Sequence, residues 1–211
     1  ITKGALSRFV ESGKFTKLKE GEAATLSFPT GLMAEAVHVI RLEKRTRGQT
    51  ARVAGAAFGK AVGEKGGLVL SPSLKGLDDV LLGICLGAYT FDQHKTGGDD
   101  DGTGAKKGDL TVMTADADAA GRAETVRALA SGVCFARDLV NEPSNSLTTA
   151  EFADRLEALS SLGLKVEVLD EEALEKLGMR TLLAVGQGSE SPSKVVVMEW
   201  NGGGDENPVA L

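Results

Sequence analysis

The sequence predicts an α/β protein in two parts that are joined by a long helix. Three observations carry this prediction. Helical and strand patterns alternate over residues 1–115, which favours a mainly parallel sheet. One helical pattern then runs to about residue 140, and a second α/β unit begins after it. We therefore expect an N-terminal domain at 1–115, a connecting helix at 116–141 and the start of a C-terminal domain at 142–211.

In the first part, hydrophobic spacing sets each element, and glycine or proline ends it. Helices are predicted at 4–12, 50–62 and 78–91, strands at 23–28, 37–42, 68–70 and 110–114, and a polar surface loop at 95–108. The connecting helix follows from an apolar stripe of small and β-branched residues, with Asp116 or Asp118 as its N-cap.

In the second part, Thr148 and Glu151 have the spacing of a capping box, which opens a helix that Gly163 terminates. A strand is predicted at 165–169, and Asp170 caps a short helix to Leu177. The continuous apolar run 195–198 is typical of a strand buried on both faces, and 209–211 begins another strand.

The composition is that of a globular protein, with 42% apolar and 26% charged residues in 211. A net charge of −6 argues against general nucleic-acid binding, although it leaves room for a local basic patch. No run of 18 apolar residues occurs, so no membrane span is predicted. Cys85 and Cys134 are too few for a disulfide scaffold, and we expect reduced, buried thiols.

No group of residues assembles a nucleophile, a base and an electrophile. His38 and His94 lack a second ligand at helical spacing, and we interpret both as structural or surface residues. Asp99 to Asp101 lack the spacing of a calcium loop. The glycine clusters at 186–188 and 202–204 fit tight turns better than phosphate loops, and the serines beside the first cluster lack a nucleophile elbow.

Two carboxylates, Asp138 and Glu142, lie four residues apart near the predicted end of the connecting helix. Such a pair can share a proton or a metal ion. A negative charge is unfavourable at a helix C-terminus, so Glu142 needs a partner, and Arg137 is one candidate. A structural ion pair is the favoured interpretation.

Residues 136–148, ARDLVNEPSNSLT, strongly resemble the leucyl (cytosol) aminopeptidase family. The runs at 163–170, 177–189 and 195–203 resemble the same family in the same order and spacing. The upstream half resembles the variable N-terminal domain of that family more loosely.

The resemblance implies a macro-domain-like N-terminal domain, a long helix and a C-terminal peptidase domain. It also implies a cytoplasmic homo-hexamer that removes N-terminal residues, with leucine-type preference, from peptide substrates. Family members use two divalent metal ions (zinc, manganese or magnesium), and a water that bridges them attacks the scissile carbonyl.

In the family, the first metal-ligating lysine follows the strand that ends Pro-Val-Ala-Leu, whereas this sequence ends at Leu211. No catalytic or metal-binding residue is therefore carried over to 1–211, no metal is expected on this span, and the span alone is predicted to be inactive. Lys194 lies in a different motif and is no substitute. A structural role is predicted for Asn141, Glu142, Pro143 and Asn145, and a peripheral cation on the backbone carbonyls of this segment stays open.

The alternative is a non-catalytic module, either a macro-like nucleotide-binding domain or a hexamer scaffold. The nearest approach to a phosphate loop is the glycine-rich run 63–67, in which Glu64 would repel phosphate. Calorimetry with ADP-ribose discriminates, and no heat is expected.

Overall fold

The structure, a computed structural model, describes residues 2–62, 65–71, 73–95, 108–207 and 209–210. The chain divides into two compact units, Ile1–Arg137 and Asp138–Leu211. Most of the predicted surface loop at 95–108 lies outside the described residues, and so does Glu64, which argued against a phosphate loop at 63–67.

The first unit mixes helices with two small sheets. Its helices are α1 (Ala5–Val10), α2 (Gly13–Thr16), α3 (Gly48–Val62), α4 (Leu77–Gly87) and most of α5 (Ala119–Asn141). Its strands are β1 (Ala23–Ser27), β2 (Ala36–Ile40), β3 (Gly67–Leu70) and β4 (Leu110–Met113). Strands β1 and β2 pair antiparallel, whereas β3 and β4 pair parallel.

The core of this unit lies between α3 and α4. Ala51 and Leu77 are almost fully buried there, together with Val80, Leu81 and Ile84. Partly buried side chains from the β3–β4 sheet, from α3 and α5 and from the chain after β2 surround this cluster, among them Val69, Val112, Phe58, Val126 and Leu42. The two helices approach closely because glycines face the backbone of the partner helix: Gly55 and Gly59 on α3, and Gly83 and Gly87 on α4.

Asp79 ties the start of α3 to the first turn of α4. Its carboxylate accepts hydrogen bonds from the backbone N–H of Gly48 at 2.7 Å and from Nε of Arg52 at 3.0 Å. The Gly48 N–H, aided by the Arg52 guanidinium, holds the pKa of Asp79 below its ordinary value.

We expect Asp79→Asn to remove part of the acid sensitivity of the first unit. A lowered carboxyl pKa contributes stability that is present above the unfolded-state pKa of about 3.9 and is lost as pH falls through the folded-state value. Urea midpoints measured between about pH 2.5 and pH 6 test this, with Asp205→Asn as the control at an exposed aspartate. An unchanged pH profile in the Asp79 variant contradicts the assignment.

The second unit contains α6 (Thr149–Glu157), a 3₁₀ helix (Ala158–Leu162), α7 (Glu171–Lys176) and α8 (Arg180–Gly186). Strands β5 (Lys165–Leu169) and β6 (Val195–Glu199) pair antiparallel, with Lys165 opposite Glu199. Among its described residues, the buried apolar side chains are Ala153, Leu156 and Leu174, and Ser193 is buried as well. As predicted, Gly163 ends the 3₁₀ helix at φ 96°, and the Asp170 carboxylate accepts the N–H of Ala173 at 2.9 Å.

The α/β class is confirmed, but the mainly parallel sheet is wrong for the described residues. One of the three two-stranded sheets is parallel and two are antiparallel. The link between β1 and β2 is too short for a helical crossover, so these strands can only form a hairpin. The second unit shows that a helical connection does not by itself make two strands parallel, since α7 and α8 separate antiparallel β5 and β6.

Two helix boundaries and two strand predictions differ from the expectations. Helix α4 ends at Gly87, four residues before Phe91, and α5 starts at Ala119, directly after Asp118 and three residues after Asp116. Strand β6 is not buried on both faces, because Val197 and Met198 are each 47% exposed. Val209 and Ala210 form no strand, and Leu211 lies outside the described residues.

Candidate functional site

The segment from Asn141 to Thr148 forms an ordered turn between α5 and α6. The backbone N–H of Glu142 still donates to the carbonyl of Asp138 at 3.0 Å, so the helical pattern persists to this residue. The carbonyl of Pro143 then accepts the N–H groups of Ser146 and Leu147 at 2.9 and 3.0 Å. Pro143 disfavours helix at the preceding residue, which explains why α5 ends here.

Glu142 is the buried member of this segment. Its carboxylate is 1% exposed and accepts a hydrogen bond from a terminal nitrogen of Arg155, on α6, at 2.7 Å. The guanidinium is 36% exposed, so the pair joins a buried acid to a partly solvated base. Since charged groups are buried only when they are paired, this contact fixes α6 against the turn.

The sequence required a partner for Glu142 but did not single out Arg155, which lies 13 residues further along the chain. In the structure, Arg155 lies next to Glu142 because α6 runs beside the turn. Arg137, the candidate named from the sequence, donates to the carbonyl of Leu86 at 3.0 Å and lies 3.8 Å over the ring of Tyr89. Its predicted pairing with Glu142 stays a prediction.

The other predicted structural residues of the segment are on the surface. Asn141, Pro143 and Asn145 are exposed, in contrast to Glu142. The four predicted residues lie within five positions of the chain, so connectivity alone brings them together. The predicted structural role of these residues stays a prediction.

The capping box at the start of α6 is confirmed. The backbone N–H of Thr148 donates to the Glu151 carboxylate at 3.1 Å, and the Thr148 hydroxyl contacts the same carboxylate. The Thr148 hydroxyl, with backbone N–H groups of the first turn, lowers the pKa of Glu151. The box therefore sets where α6 begins and positions Arg155 on it.

We expect Thr148→Ala to lower the free energy of unfolding by about 1 kcal/mol, because an N-cap hydroxyl is lost. Thr148→Ser retains the hydroxyl and is expected to stay near the wild-type value. Urea denaturation followed by circular dichroism measures both variants. Equal destabilisation by alanine and serine would show that the threonine methyl group, and not the cap, is important here.

Beside α6 lies an open groove of about 450 Å³. Its lining is mainly apolar and includes Leu147, Phe152, Leu156 and Val196, with Lys194 as the charged side chain. Two hydrogen bonds hold the loop that leads into β6: the Thr149 hydroxyl donates to the carbonyl of Pro192 at 2.6 Å, and the N–H of Ser193 donates to Glu171 at 2.9 Å. The lining offers no carboxylate, imidazole or thiolate, which are the side chains that hold divalent metals.

The described residues do not form a metal centre. Within the ranges that the structure describes, no group of three or more His, Cys, Asp and Glu side chains could hold a metal ion. His38 shares a hydrogen bond with the Thr25 hydroxyl at 2.9 Å and packs edge-on against Phe58, and His94 packs against Phe91. These contacts agree with the predicted structural interpretation of both histidines.

Cys85 and Cys134 are not joined in a disulfide, and both are half-buried rather than buried as predicted. The Asp99–Asp101 cluster lies outside the described residues. None of the helices that the structure describes is long and apolar enough to cross a membrane.

Solved structures share this arrangement of elements. The bottromycin maturation enzyme BotP in complex with Mn matches 92% of this chain and 42% of its own, at a TM-score of 0.69 and 27% identity. A variant of tomato leucine aminopeptidase matches 92% of this chain and 40% of its own, at a TM-score of 0.72 and 19% identity. At this low identity, the match shows the fold alone. The chain therefore has a mixed α/β fold that is similar to the matching part of these enzymes.

Sequence relatives narrow this class to a family. Residues 134–211 match the model of the cytosol aminopeptidase family, catalytic domain. Over the whole chain, probable cytosol aminopeptidases of Cereibacter sphaeroides and Dinoroseobacter shibae are each 49% identical. The chain belongs to the leucyl (cytosol) aminopeptidase family, and it spans 42% of the length of each of these two relatives.

Proposed function

We propose that the protein to which this chain belongs is a metal-dependent aminopeptidase that releases N-terminal residues from peptides, with a preference of the leucine type. The observation that carries the proposal is the 49% identity, over the entire chain, to probable cytosol aminopeptidases. The family match over 134–211 supports it, because this match is to the catalytic domain.

In this proposal, the described residues support the catalytic domain rather than perform the chemistry. The Glu142–Arg155 pair and the capping box of α6 hold the first turn and helix of the second unit in one arrangement. These contacts stabilise α6, beside which later parts of a catalytic domain would be built.

The residues present do not fit a pair of divalent metal ions, since the described ranges hold no suitable ligand group. We therefore propose that the two metal ions, manganese or zinc, are held by residues that follow Leu211 in relatives, and that the span 1–211 is inactive alone. Manganese in the BotP complex supports a divalent ion in the relatives of this chain. No reaction step is assigned to residues of the chain itself.

We further propose peptide substrates, a homo-hexameric assembly and a cytoplasmic location. The family resemblance of residues 136–148 supports all three, and the relatives named cytosol aminopeptidases support the location. A macro-like topology for the first unit is likewise a proposal, supported by its mixed helices and small sheets.

The test compares the full-length protein with the span 1–211, each verified by intact mass. Both are stripped with EDTA, reloaded with Mn²⁺ or Zn²⁺, and assayed on leucine p-nitroanilide, with N-acetyl-leucine p-nitroanilide as the matched control for a free amino terminus. We expect metal-dependent cleavage of the free-amine substrate by the full-length protein only. An inactive full-length protein under every metal, or an active 1–211 span, overturns the proposal.

A further inference from the structure

Strand β1 pairs with β2 along one of its two edges. The N–H of Phe28 donates to the carbonyl of Glu35 at 2.6 Å, which makes these two residues a hydrogen-bonded pair. Hydrogen-bonded and non-bonded pairs alternate in an antiparallel ladder, so Leu26 and Ala24 are the next residues that bond to β2. The backbone N–H and C=O groups of the residues between them point to the opposite edge, and these residues are Ala23, Thr25 and Ser27.

This opposite edge is open in the part of the chain that the structure describes. The sheet that contains β1 has two strands, so β2 is the described neighbour of β1. None of the described hydrogen bonds ends on the backbone N–H or C=O of Ala23, Thr25 or Ser27, and all three residues are exposed. A row of open donors and acceptors of this kind is a template for a further strand.

The edge also lacks the features that keep exposed strands apart. Edge strands are commonly protected by charged side chains, by proline or by a bulge. The strand Ala23–Ser27 contains no charge and no proline, and its register with β2 is continuous. The sequence of β1 therefore permits pairing along its open edge.

The spacing of the open groups is self-complementary. When two copies of β1 run antiparallel with Thr25 opposite Thr25 of the second copy, Ala23 lies opposite Ser27 of the second copy. The three N–H groups of each strand then meet the three C=O groups of the other, and no open group is left over. The two copies of Glu22 would be about 20 Å apart, so the contact opposes no like charges.

Exposed apolar side chains lie at the end of the same strand. Phe28 is 79% exposed and has a φ of 46°, which is uncommon for a bulky residue. Met33, in the same uncharged run 28–34, is fully exposed. Exposed apolar groups and strained backbone are both typical of contact surfaces. The antiparallel arrangement brings Phe28 of each copy to the start of β1 in the other.

A second copy fits this edge better than an extended peptide does. A peptide that adds to a sheet edge gains its specificity from pockets that receive alternate side chains. The side chains beside this edge, at positions 23, 25 and 27, are small and give little means to distinguish one peptide from another. A two-fold contact needs no such pockets, because the same strand supplies both sides.

We propose that β1 is a contact between two copies of this protein, which pair antiparallel about Thr25 and join their two-stranded sheets into one sheet of four strands. The contact is isologous and has two-fold symmetry. The proposal rests on the proposed homo-oligomeric assembly, for which it assigns one interface, and it does not depend on peptidase activity.

The first test is disulfide cross-linking of the full-length protein. In the proposed pairing, the Cα atoms of the two copies of Thr25 are about 5.5 Å apart, which a disulfide spans. With oxidised glutathione as the oxidant, Thr25→Cys is expected to give at least about 10-fold more covalent dimer than the wild type on non-reducing electrophoresis. The wild type reports the background from Cys85 and Cys134.

Ser27→Cys is the matched control on the same strand. Ser27 is exposed, as Thr25 is, but its two copies would be about 14 Å apart in the proposed pairing, which is too far for a disulfide. This variant is expected to cross-link no more than the wild type. Circular dichroism and urea midpoints confirm that both cysteine variants fold.

A charge variant tests the contact without cross-linking. Thr25→Lys places two like charges opposite each other at the two-fold axis. Amide hydrogen exchange at Ala23 and Ser27 should become at least about 10-fold faster than in the wild type, because their bonds to the second copy are lost. Mixing this variant with Thr25→Glu should restore slow exchange, since opposite charges then meet at the axis.

Three results overturn the proposed contact. Equal cross-linking of Thr25→Cys and Ser27→Cys would indicate random collision. A wild-type hexamer whose Thr25→Cys variant does not cross-link would remove the β1 contact and leave the proposed hexamer intact, whereas a monomeric wild type would contradict both. Slow exchange at Ala23 and Ser27 that persists in Thr25→Lys would indicate that another segment of the same chain covers this edge.

Discussion

Gly55→Ala is expected to destabilise the first unit by about 3 kcal/mol, at the upper end of the usual cost of overpacking a core. A Cβ on Gly55 would overlap the carbonyl oxygen of Val80 and would lie 2.9 Å from its carbonyl carbon. The atoms that it meets belong to the backbone of α4, so no side-chain rotation relieves the overlap. Helices α3 and α4 would have to separate, and the buried cluster around Ala51 and Leu77 would loosen.

Gly132→Ala is the matched control for this prediction. Gly132 is also inside a helix, but apart from its chain neighbours and the nearby backbone of its own helix, no described atom lies within 4 Å of the position that its Cβ would take. Alanine there is expected to stabilise by about 0.5–1 kcal/mol through helix propensity. Urea denaturation monitored by circular dichroism measures both variants. If Gly55→Ala lowers the free energy of unfolding by less than about 1 kcal/mol, α3 and α4 pack less closely than described.

The second large effect is expected at Arg155. Arg155→Ala removes a charged donor from a carboxylate that is 1% exposed, and we expect a loss of about 2–3 kcal/mol in the free energy of unfolding. Because the contact holds α6 against the turn after α5, the loss should concern the second unit. Hydrogen exchange of α6 amides, measured beside urea denaturation, should show faster exchange in this variant.

Lys176→Ala provides the comparison at an exposed ion pair. The side chains of Lys176 and Glu172 are 73% and 76% exposed, and Nζ lies 2.6 Å from the carboxylate. Exposed ion pairs of this kind contribute little to the free energy of unfolding. A change within about 0.5 kcal/mol is expected. Arg155→Lys keeps the charge but loses the planar guanidinium, and we expect an intermediate loss. Equal effects at positions 155 and 176 would show that burial of the Glu142 carboxylate has no energetic consequence.

Local signals predicted the second unit well. The Thr148–Glu151 box, the Asp170 cap and the left-handed Gly163 depend on residues within a few positions of each other, and the structure confirms all three. The start of α5 was less exact because several polar residues before Ala119 can serve as a helix boundary. Helix α8 was not predicted from spacing alone, since its seven residues lie between glycines and lack a clear apolar stripe.

Non-local contacts were the part that the sequence could not supply. An apolar run such as that of β6 indicates a strand but carries no information about its partners or about which faces are covered. Likewise, the need of Glu142 for a partner could be anticipated from its place at a helix end, whereas the burial of its carboxylate and the identity of Arg155 became clear only when α6 was placed beside it.

The glycine contacts of α3 and α4 also determine how the chain tolerates variation. In an ordinary core position, the harm of a replacement grows with the size and polarity of the new side chain. At Gly55, Gly59, Gly83 and Gly87, the first carbon of any side chain already meets backbone within 3.0 Å. In saturation mutagenesis, the loss of stability at these four sites should therefore depend little on the new residue, with alanine as damaging as most larger residues. The sensitive positions should be spaced by one helical turn on each of the two helices.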